Sequence, residues 1–269
     1  MFSPASLISY ALLASTAFAA PNGGLEARLA RRREGAHLSS PMQPVSRVTN
    51  LIQAGNVSHV ATSSNWAGAA FESPAGTYKS VTGTFVVPTP KVPTGGSSSG
   101  TFAASAWVGI DGDTCGTAIL QTGIDFTISG GRVSFDAWYE YFPDFAHDFT
   151  GISVSAGNTI TLTVTASSAT AGTAVITNVS TGQTVSKALT STARLCMENA
   201  EWIVEDFEEG SSLVPFANFG TVTFTNAKAT TSSGSTTGPS GSVLIDIEQS
   251  GKLLTSVSSS STSVTVSHT

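Results

Sequence analysis

Two stretches of this chain carry a polar side chain at the end of an apolar run. In Trp107-Val-Gly-Ile-Asp-Gly-Asp-Thr-Cys-Gly-Thr-Ala-Ile-Leu-Gln-Thr-Gly123 it is Gln121. In Asn199-Ala-Glu-Trp-Ile-Val-Glu-Asp-Phe-Glu-Glu209 it is Glu205. A half-buried amide can hold an oxyanion, and a half-buried carboxylate can move protons; an acid-range hydrolase needs both. Other hydrolytic sets are poorly supplied. Of the four His, His37 and His59 fall in or beside an N-terminal segment and His268 is the penultimate residue. That leaves His147, flanked by Asp144 and Asp148, which reads as a solvated loop residue rather than part of a Ser-His-Asp triad. The one Gly-x-Ser-x-Gly match, Gly96 to Gly100, sits in a low-complexity run with no helix pattern after it. There is no His-Glu-x-x-His, and the nearest aspartic-protease signature, Asp113-Thr114-Cys115, is a single broken copy.

Strand alternation sorts the carboxylates by face. Asp136, Trp138, Glu140 and Phe142 share one face of a predicted strand over 133–142. On the other informative strand, Glu201, Ile203, Glu205 and Phe207 share a face opposite Trp202, Val204 and Asp206. Apolar neighbours desolvate Glu205, and the acids at Asp206, Glu208 and Glu209 crowd it; both effects favour the neutral acid. The residues alone leave alternatives open. Glu205 also reads as one of several acids on a wet edge strand, and Gln121 as a group that satisfies a neighbouring backbone.

The positioning elements are β-strands. The chain is rich in Thr, Ser, Val and Gly, and has no long amphipathic helix pattern. Strands are predicted over 80–87, 102–110, 118–122, 133–142, 159–166, 174–178, 200–207, 221–226, 243–248 and 263–267. Gly, Pro, Asn or Ser clusters separate most of them, as in a single-domain sandwich or barrel. Two Gly/Ser/Thr-rich runs, 94–100 and 230–241, read as loops.

The N-terminus differs in kind. Residues 1–19 read as a secretory signal peptide: an apolar stretch from Leu7, then the small-residue cleavage site Ala17-Phe18-Ala19. No run is long enough for a membrane span. Residues 20–60 read as a basic propeptide with Arg31-Arg32-Arg33 as a processing site; a retained basic linker is the alternative. Before residue 61 lie five of the twelve basic residues but two of the eighteen acidic ones. The domain over 61–269 thus holds 7 bases against 16 acids, a formal −9 where the whole chain is −6. An acidic domain disfavours nucleic acid as a partner, and a basic prosegment is a candidate electrostatic cover and inhibitor for it. Cys115 and Cys196, an even pair in a secreted chain, are expected to form a disulfide that draws the Gln121 and Glu205 strands together. Asn56 and Asn178 begin glycosylation sequons.

Five motifs now converge: Ser64-Asn-Trp-Ala-Gly68, Trp107 to Cys115, Ala118 to Gly123, Asp136-Ala-Trp-Tyr-Glu-Tyr141 and Asn199 to Glu209. Together they resemble the fungal glutamic peptidases, the eqolisin family of acid endopeptidases, from about Ser64 to the C-terminus. The resemblance implies an all-β, lectin-like sandwich of two curved antiparallel sheets, secretion as a preproprotein, and a catalytic dyad that maps onto Gln121 and Glu205. It also implies that Trp66, Trp107, Asp111, Asp136, Tyr139 and Glu140 line or support a cleft for protein and peptide substrates. No cofactor or metal is required and a monomer suffices. In the implied mechanism Glu205, ionised at rest, activates a water held across adjacent strands with Gln121. A glycoside hydrolase using Glu140 with Glu205, or a non-catalytic carbohydrate-binding module, are the rivals.

Overall fold

The computed structural model describes residues 37–53 and 56–269. Residues 1–36, which hold the expected signal peptide and the first part of the expected propeptide, lie outside the described residues. Among the described residues no helix occurs, and fifteen strands of five residues or more build the sheets: β1 (Pro44–Gln53), β2 (Asn56–Ser63), β3 (Trp66–Glu72), β4 (Tyr78–Val86), β5 (Thr101–Ile110), β6 (Ile119–Ser129), β7 (Arg132–Phe142), β8 (Thr159–Ser168), β9 (Ala171–Asn178), β10 (Gln183–Thr190), β11 (Asn199–Glu205), β12 (Thr221–Thr231), β13 (Val243–Gln249), β14 (Thr255–Ser259) and β15 (Val264–His268). They form two large sheets, in the orders β1-β2-β13-β3-β11-β5-β6-β7 and β10-β9-β8-β4-β12-β15-β14. Pairing is antiparallel except between β2 and β13, which run parallel.

The sandwich follows from period-two patterning. Along β8, Thr159-Ile-Thr-Leu-Thr-Val-Thr-Ala166 alternates polar and apolar, and Ile160, Leu162 and Val164 are buried. They meet Ala104, Ala106 and Val108 of β5, Leu120 and Ile124 of β6, and Trp202 of β11 in one apolar layer between the sheets. The Trp202 indole N–H satisfies itself across that layer on the Thr82 carbonyl at 2.8 Å, as a buried tryptophan requires. The outward positions of the smaller sheet form hydroxyl pairs across strands: Thr82 with Thr163 at 2.9 Å, Thr84 with Thr161 at 2.9 Å, Thr177 with Thr184 at 3.0 Å and Thr223 with Thr265 at 3.1 Å. Asn178 does not face solvent here. It is buried, and its amide donates to the Ser153 carbonyl at 2.7 Å and to Asn158 Oδ1 at 2.9 Å. In the folded protein this sequon is closed to a glycan. The side chain of Asn56 lies outside the described residues.

One turn sets the register of the sheet that matters. Gly130 and Gly131 join β6 to β7 with φ of 54° and 77°, the two positive values a type I′ hairpin needs. Pairing then runs from Ser129↔Arg132 to Asp125↔Asp136, Gly123↔Trp138 and Gln121↔Glu140. A slip of one residue would turn all of these to the other face. The expected disulfide forms between Cys115 and Cys196. It ties the loop after β5 to the segment before β11. Strand β5 itself lies between β6 and β11, so Gln121 and Glu205 are two strands apart rather than on adjacent ones.

Candidate active site

On the larger sheet, the face turned away from the apolar layer carries three rows of side chains. Pairing aligns Glu201, Gly109, Gln121 and Glu140 in the first row, and Ile203, Trp107, Gly123 and Trp138 in the second. Glu205, Ser105, Asp125 and Asp136 form the third. Gly123 lets the two indoles lie flat over it. A Cβ there would sit 2.6 Å from Trp107 Cβ and 2.8 Å from Trp138 Cζ2. Trp107 packs edge-on against Trp66 with centroids 4.8 Å apart, and its indole N–H donates to Glu205 Oε2 at 2.8 Å. The other oxygen of Glu205 carries no hydrogen-bond partner.

A strap of the chain's own N-terminal segment lies across these rows. Residues His37–Leu38 pair with Glu208–Glu209 as a short antiparallel ribbon. The Ser39 carbonyl accepts from Gln121 Nε2 at 2.9 Å, and the Ser39 N–H donates to Glu140 Oε2 at 3.2 Å. The Ser39 hydroxyl lies beside the Glu205 carboxylate. The Ser40 carbonyl accepts from the Trp66 indole at 3.0 Å. Asn65 clasps the rest: its Nδ2 donates to the Pro41 carbonyl at 3.1 Å and its Oδ1 accepts the Gln43 N–H at 2.8 Å. His37 is buried, its Nε2 3.4 Å from Asp125 and its ring edge-on to Phe207 at 4.3 Å. The tips of Gln121 and Glu205 therefore reach the same residue, Ser39, from strands on either side of β5.

Burial under the strap dominates the electrostatics. It pushes the Glu205 acid up to about 8, against the pull of polar hydrogens on Ser39, Trp107 and Trp66, and the charge of Asp206 adds to the rise. Glu140 stands well above the ordinary carboxylate range, mainly from burial, offset by the Ser39 N–H and raised again by Glu205. Asp206 is pushed up to about 8 by burial, with Gln249 Nε2 donating to it at 2.7 Å. Glu201, in the same face and without a partner on either oxygen, is raised by burial and by the charges of Asp111 and Asp113.

Of the residues the sequence nominates, Gln121, Glu205, Trp66, Trp107 and Glu140 meet at the strap, and Asp136 lies on the same face beside Asp125. Two take other roles. Asp111, at φ 71°, gives its carboxylate to the backbone N–H groups of Met197, Glu198 and Asn199 at 2.8, 2.9 and 3.2 Å, bracing the disulfide loop. Tyr139 follows Trp138 in the chain and so points to the other face. There it packs edge-on against Phe149 at 4.7 Å, and the Lys187 ammonium sits 5.5 Å above its ring. His147 is exposed and bonds Asp144 at 3.2 Å, as a solvated residue should. Asn65, Asp125 and His37 are the site's additions; Asn65 stands inside the Ser64–Gly68 motif, while nothing local marks His37. Among the described residues one grouping could invite a metal, Asp111 with Cys115 and Cys196. Both sulfurs are spent in the disulfide and so offer no thiolate.

A sandwich with carboxylates and an amide gathered on one sheet face sets a proton carrier beside an oxyanion donor, and comparison with known proteins says what they serve. Residues 64–268 match the peptidase A4 family, and the chain belongs to it. It is 45% identical over 280 residues to aspergillopepsin-2 from Aspergillus niger, covering 98% of each chain, and 42% identical over 238 residues to scytalidopepsin B from Scytalidium lignicola, covering 85% of each. The crystal structure of scytalido-glutamic peptidase with a transition state analog inhibitor is similar at TM-score 0.69 and 42% identity, over 77% of this chain and 98% of that one. Aspergilloglutamic peptidase from Aspergillus niger is similar at TM-score 0.61 and 56% identity, over 62% of this chain and 99% of that one. The protein is thus a hydrolase, a glutamic-type endopeptidase that acts on peptides. Membership displaces the glycosidase and carbohydrate-binding readings.

Proposed function

We propose that this chain is a secreted acid endopeptidase in which Glu205 moves the protons, Gln121 holds the oxyanion, and residues 37–43 act as a built-in inhibitor. The observation that carries this reading is the Ser39 carbonyl on Gln121 Nε2 at 2.9 Å, within an extended segment. In the uncovered enzyme Glu205 Oε1 takes a proton from water while Trp107 fixes Oε2. The water oxygen adds to the scissile carbonyl carbon, and Gln121 donates to the oxyanion. Glu205 returns the proton to the leaving nitrogen as the C–N bond breaks. Glu140 accepts the N–H of the residue that supplies the carbonyl, which fixes that residue against Gln121.

Under the strap Glu205 holds its proton at neutral and acid pH alike, so the covered site is idle. Removing the strap hydrates Glu205 and returns it toward the ordinary carboxylate range. The acid limit of activity is then loss of the Glu205 base form. The upper limit is ionisation of Glu140 beside Glu205, which adds a like charge to the site. Secretion rests on the leader over residues 1–19.

The test is hydrolysis of a denatured protein by the processed chain in acid. A bell-shaped profile within the acid range is expected. Gln121→Ala should cost about two to three decades in kcat, the usual loss for one oxyanion donor; Glu205→Gln should be inactive. Wild-type rates in either variant sink the dyad. A synthetic peptide of residues 37–43 that fails to inhibit removes the strap from the scheme.

A further inference from the structure

We propose that the slot between the free edges of the two sheets is a second peptide-binding site, and that it takes an extended segment carrying a phosphoserine. The inference goes beyond the hydrolytic reading and does not depend on which residues cut the peptide.

The slot lies at one side of the sandwich. There β10 ends the smaller sheet, and the short segment His147–Asp148, paired with β7, ends the larger one. The space between them is about 410 Å³. One wall runs from Lys187 to Ser191, the end of β10; Tyr139, Tyr141, Asp144 and His147 make the other. Tyr141 is fixed by its hydroxyl, which donates to the Ala169 carbonyl at 2.9 Å.

The slot holds two bases and one acid. Asp144 is spent on His147, at 3.2 Å. No carboxylate among the described residues pairs with Lys187. Its ammonium instead stands 5.5 Å from the centre of the Tyr139 ring, and that ring stacks on the His147 imidazole at 5.6 Å and 26°. An aromatic face holds a cation without neutralising it. With the imidazole protonated the slot is net positive, on a domain that is formally −9. It calls for an anion that survives acid. A ligand carboxylate takes up its proton near pH ~4. A phosphate monoester keeps one negative charge after its second proton binds near pH ~6. Ammonium and imidazolium are charge-assisted donors to such a group.

The wall of β10 says what carries the phosphate. This strand pairs with β9 from Gln183↔Asn178 to Thr190↔Ala171, and no described strand pairs with its other side. A free edge offers a row of N–H and C=O groups to an added strand. Lys187 is the one charged residue of β10. An edge lysine ordinarily discourages pairing. A phosphate on the incoming strand turns that repulsion into a selection, with the backbone supplying affinity and Lys187 the choice. A substrate protein held there at one point presents its other segments to the cleft at a raised local concentration.

The experiment measures binding by fluorescence anisotropy at about pH 5, where a phosphate monoester is still charged. It uses the full-length chain with Gln121→Ala, whose strap covers the cleft. The probes are an alternating Thr/Val peptide with one central phosphoserine, its unphosphorylated twin, and O-phosphoserine as a competitor. The phosphopeptide is expected to bind about tenfold tighter than its twin, the scale of one charge-assisted contact. Lys187→Ala should erase that margin and Lys187→Arg should keep it. Hydrogen exchange at the β10 amides should slow when the phosphopeptide is bound. Equal binding of the two peptides, or an unchanged margin in Lys187→Ala, overturns the proposal. So do O-phosphoserine that competes as strongly as the phosphopeptide, and β10 amides that exchange as fast with it as without; either leaves a bare anion site and no docked strand. The mass of the peptide after the run shows whether Gln121→Ala still cuts it, so a failure of the dyad is read separately.

Discussion

Asp206 gives a direct measure of what buried acids cost this fold. The residue is 1% exposed, with Oδ2 on Gln249 and no partner for Oδ1. Its acid stands at about 8, against an ordinary 3.8. Between those values the folded state keeps a proton that the unfolded chain has released. The folded state then binds more protons, so stability falls as pH rises through the window and is untouched below it. At pH 7 about three units have been crossed at ~1.4 kcal/mol each, an upper figure of roughly 4 kcal/mol; local relaxation lowers it to about 2–4 kcal/mol. Asp206→Asn keeps the shape and the acceptor for Gln249 but cannot ionise. It should match its parent at pH 3 and melt higher at pH 7 by about 4–16 °C for a domain of this size. Thermal melts of both proteins in a Gln121→Ala background avoid self-digestion. An equal gap at both pH values, or a variant that is weaker at pH 7, refutes the reasoning.

Gly123→Ala should destabilise by about 1–3 kcal/mol through overpacking, and should cost activity as well, because the displaced Trp107 orients Glu205; melts and kcat together check it. Asn65→Ala removes the clasp on Pro41 and Gln43 and should loosen the strap, so that the full-length chain hydrolyses a peptide faster than its parent does under the same conditions. Replacing Cys115 and Cys196 together by Ser opens a loop of sequence separation 81 and should cost up to about 4 kcal/mol in the chain-entropy model, seen in denaturant melts. EDTA should leave hydrolysis unchanged.

How much of this was legible depends on what fixes each residue. Glu140 was placed on its face by alternation along its strand, whereas the Gly130–Gly131 turn that sets it opposite Gln121 was not read. Tyr139 went astray because neighbours in a motif need not be neighbours on a face; period two sends it away from Trp138 and Glu140. The β3 strand was missed because Ala67-Gly-Ala-Ala70 lacks the branched residues that mark a strand, and β10 because its edge position leaves it largely exposed without a clear alternation. His37 was invisible in principle. Its partners Asp125 and Phe207 lie 88 and 170 residues further on, and no spacing rule spans that distance. Asp111 reads as a cleft acid from its motif, yet its φ of 71° and its three backbone donors make it a brace, which only the folded loop reveals.

The hydroxyl pairs on the outer face of the smaller sheet have a consequence for life in acid. Charged residues make up 11% of the chain, and its isoelectric point is about 5.1. An enzyme that moves from neutral to acid surroundings must pass through zero net charge, where colloids clump. Threonine does not titrate in that range. A surface wetted by alcohol groups keeps its hydration shell on both sides of the crossing, so this protein should stay dispersed where one that relies on ionised side chains would precipitate.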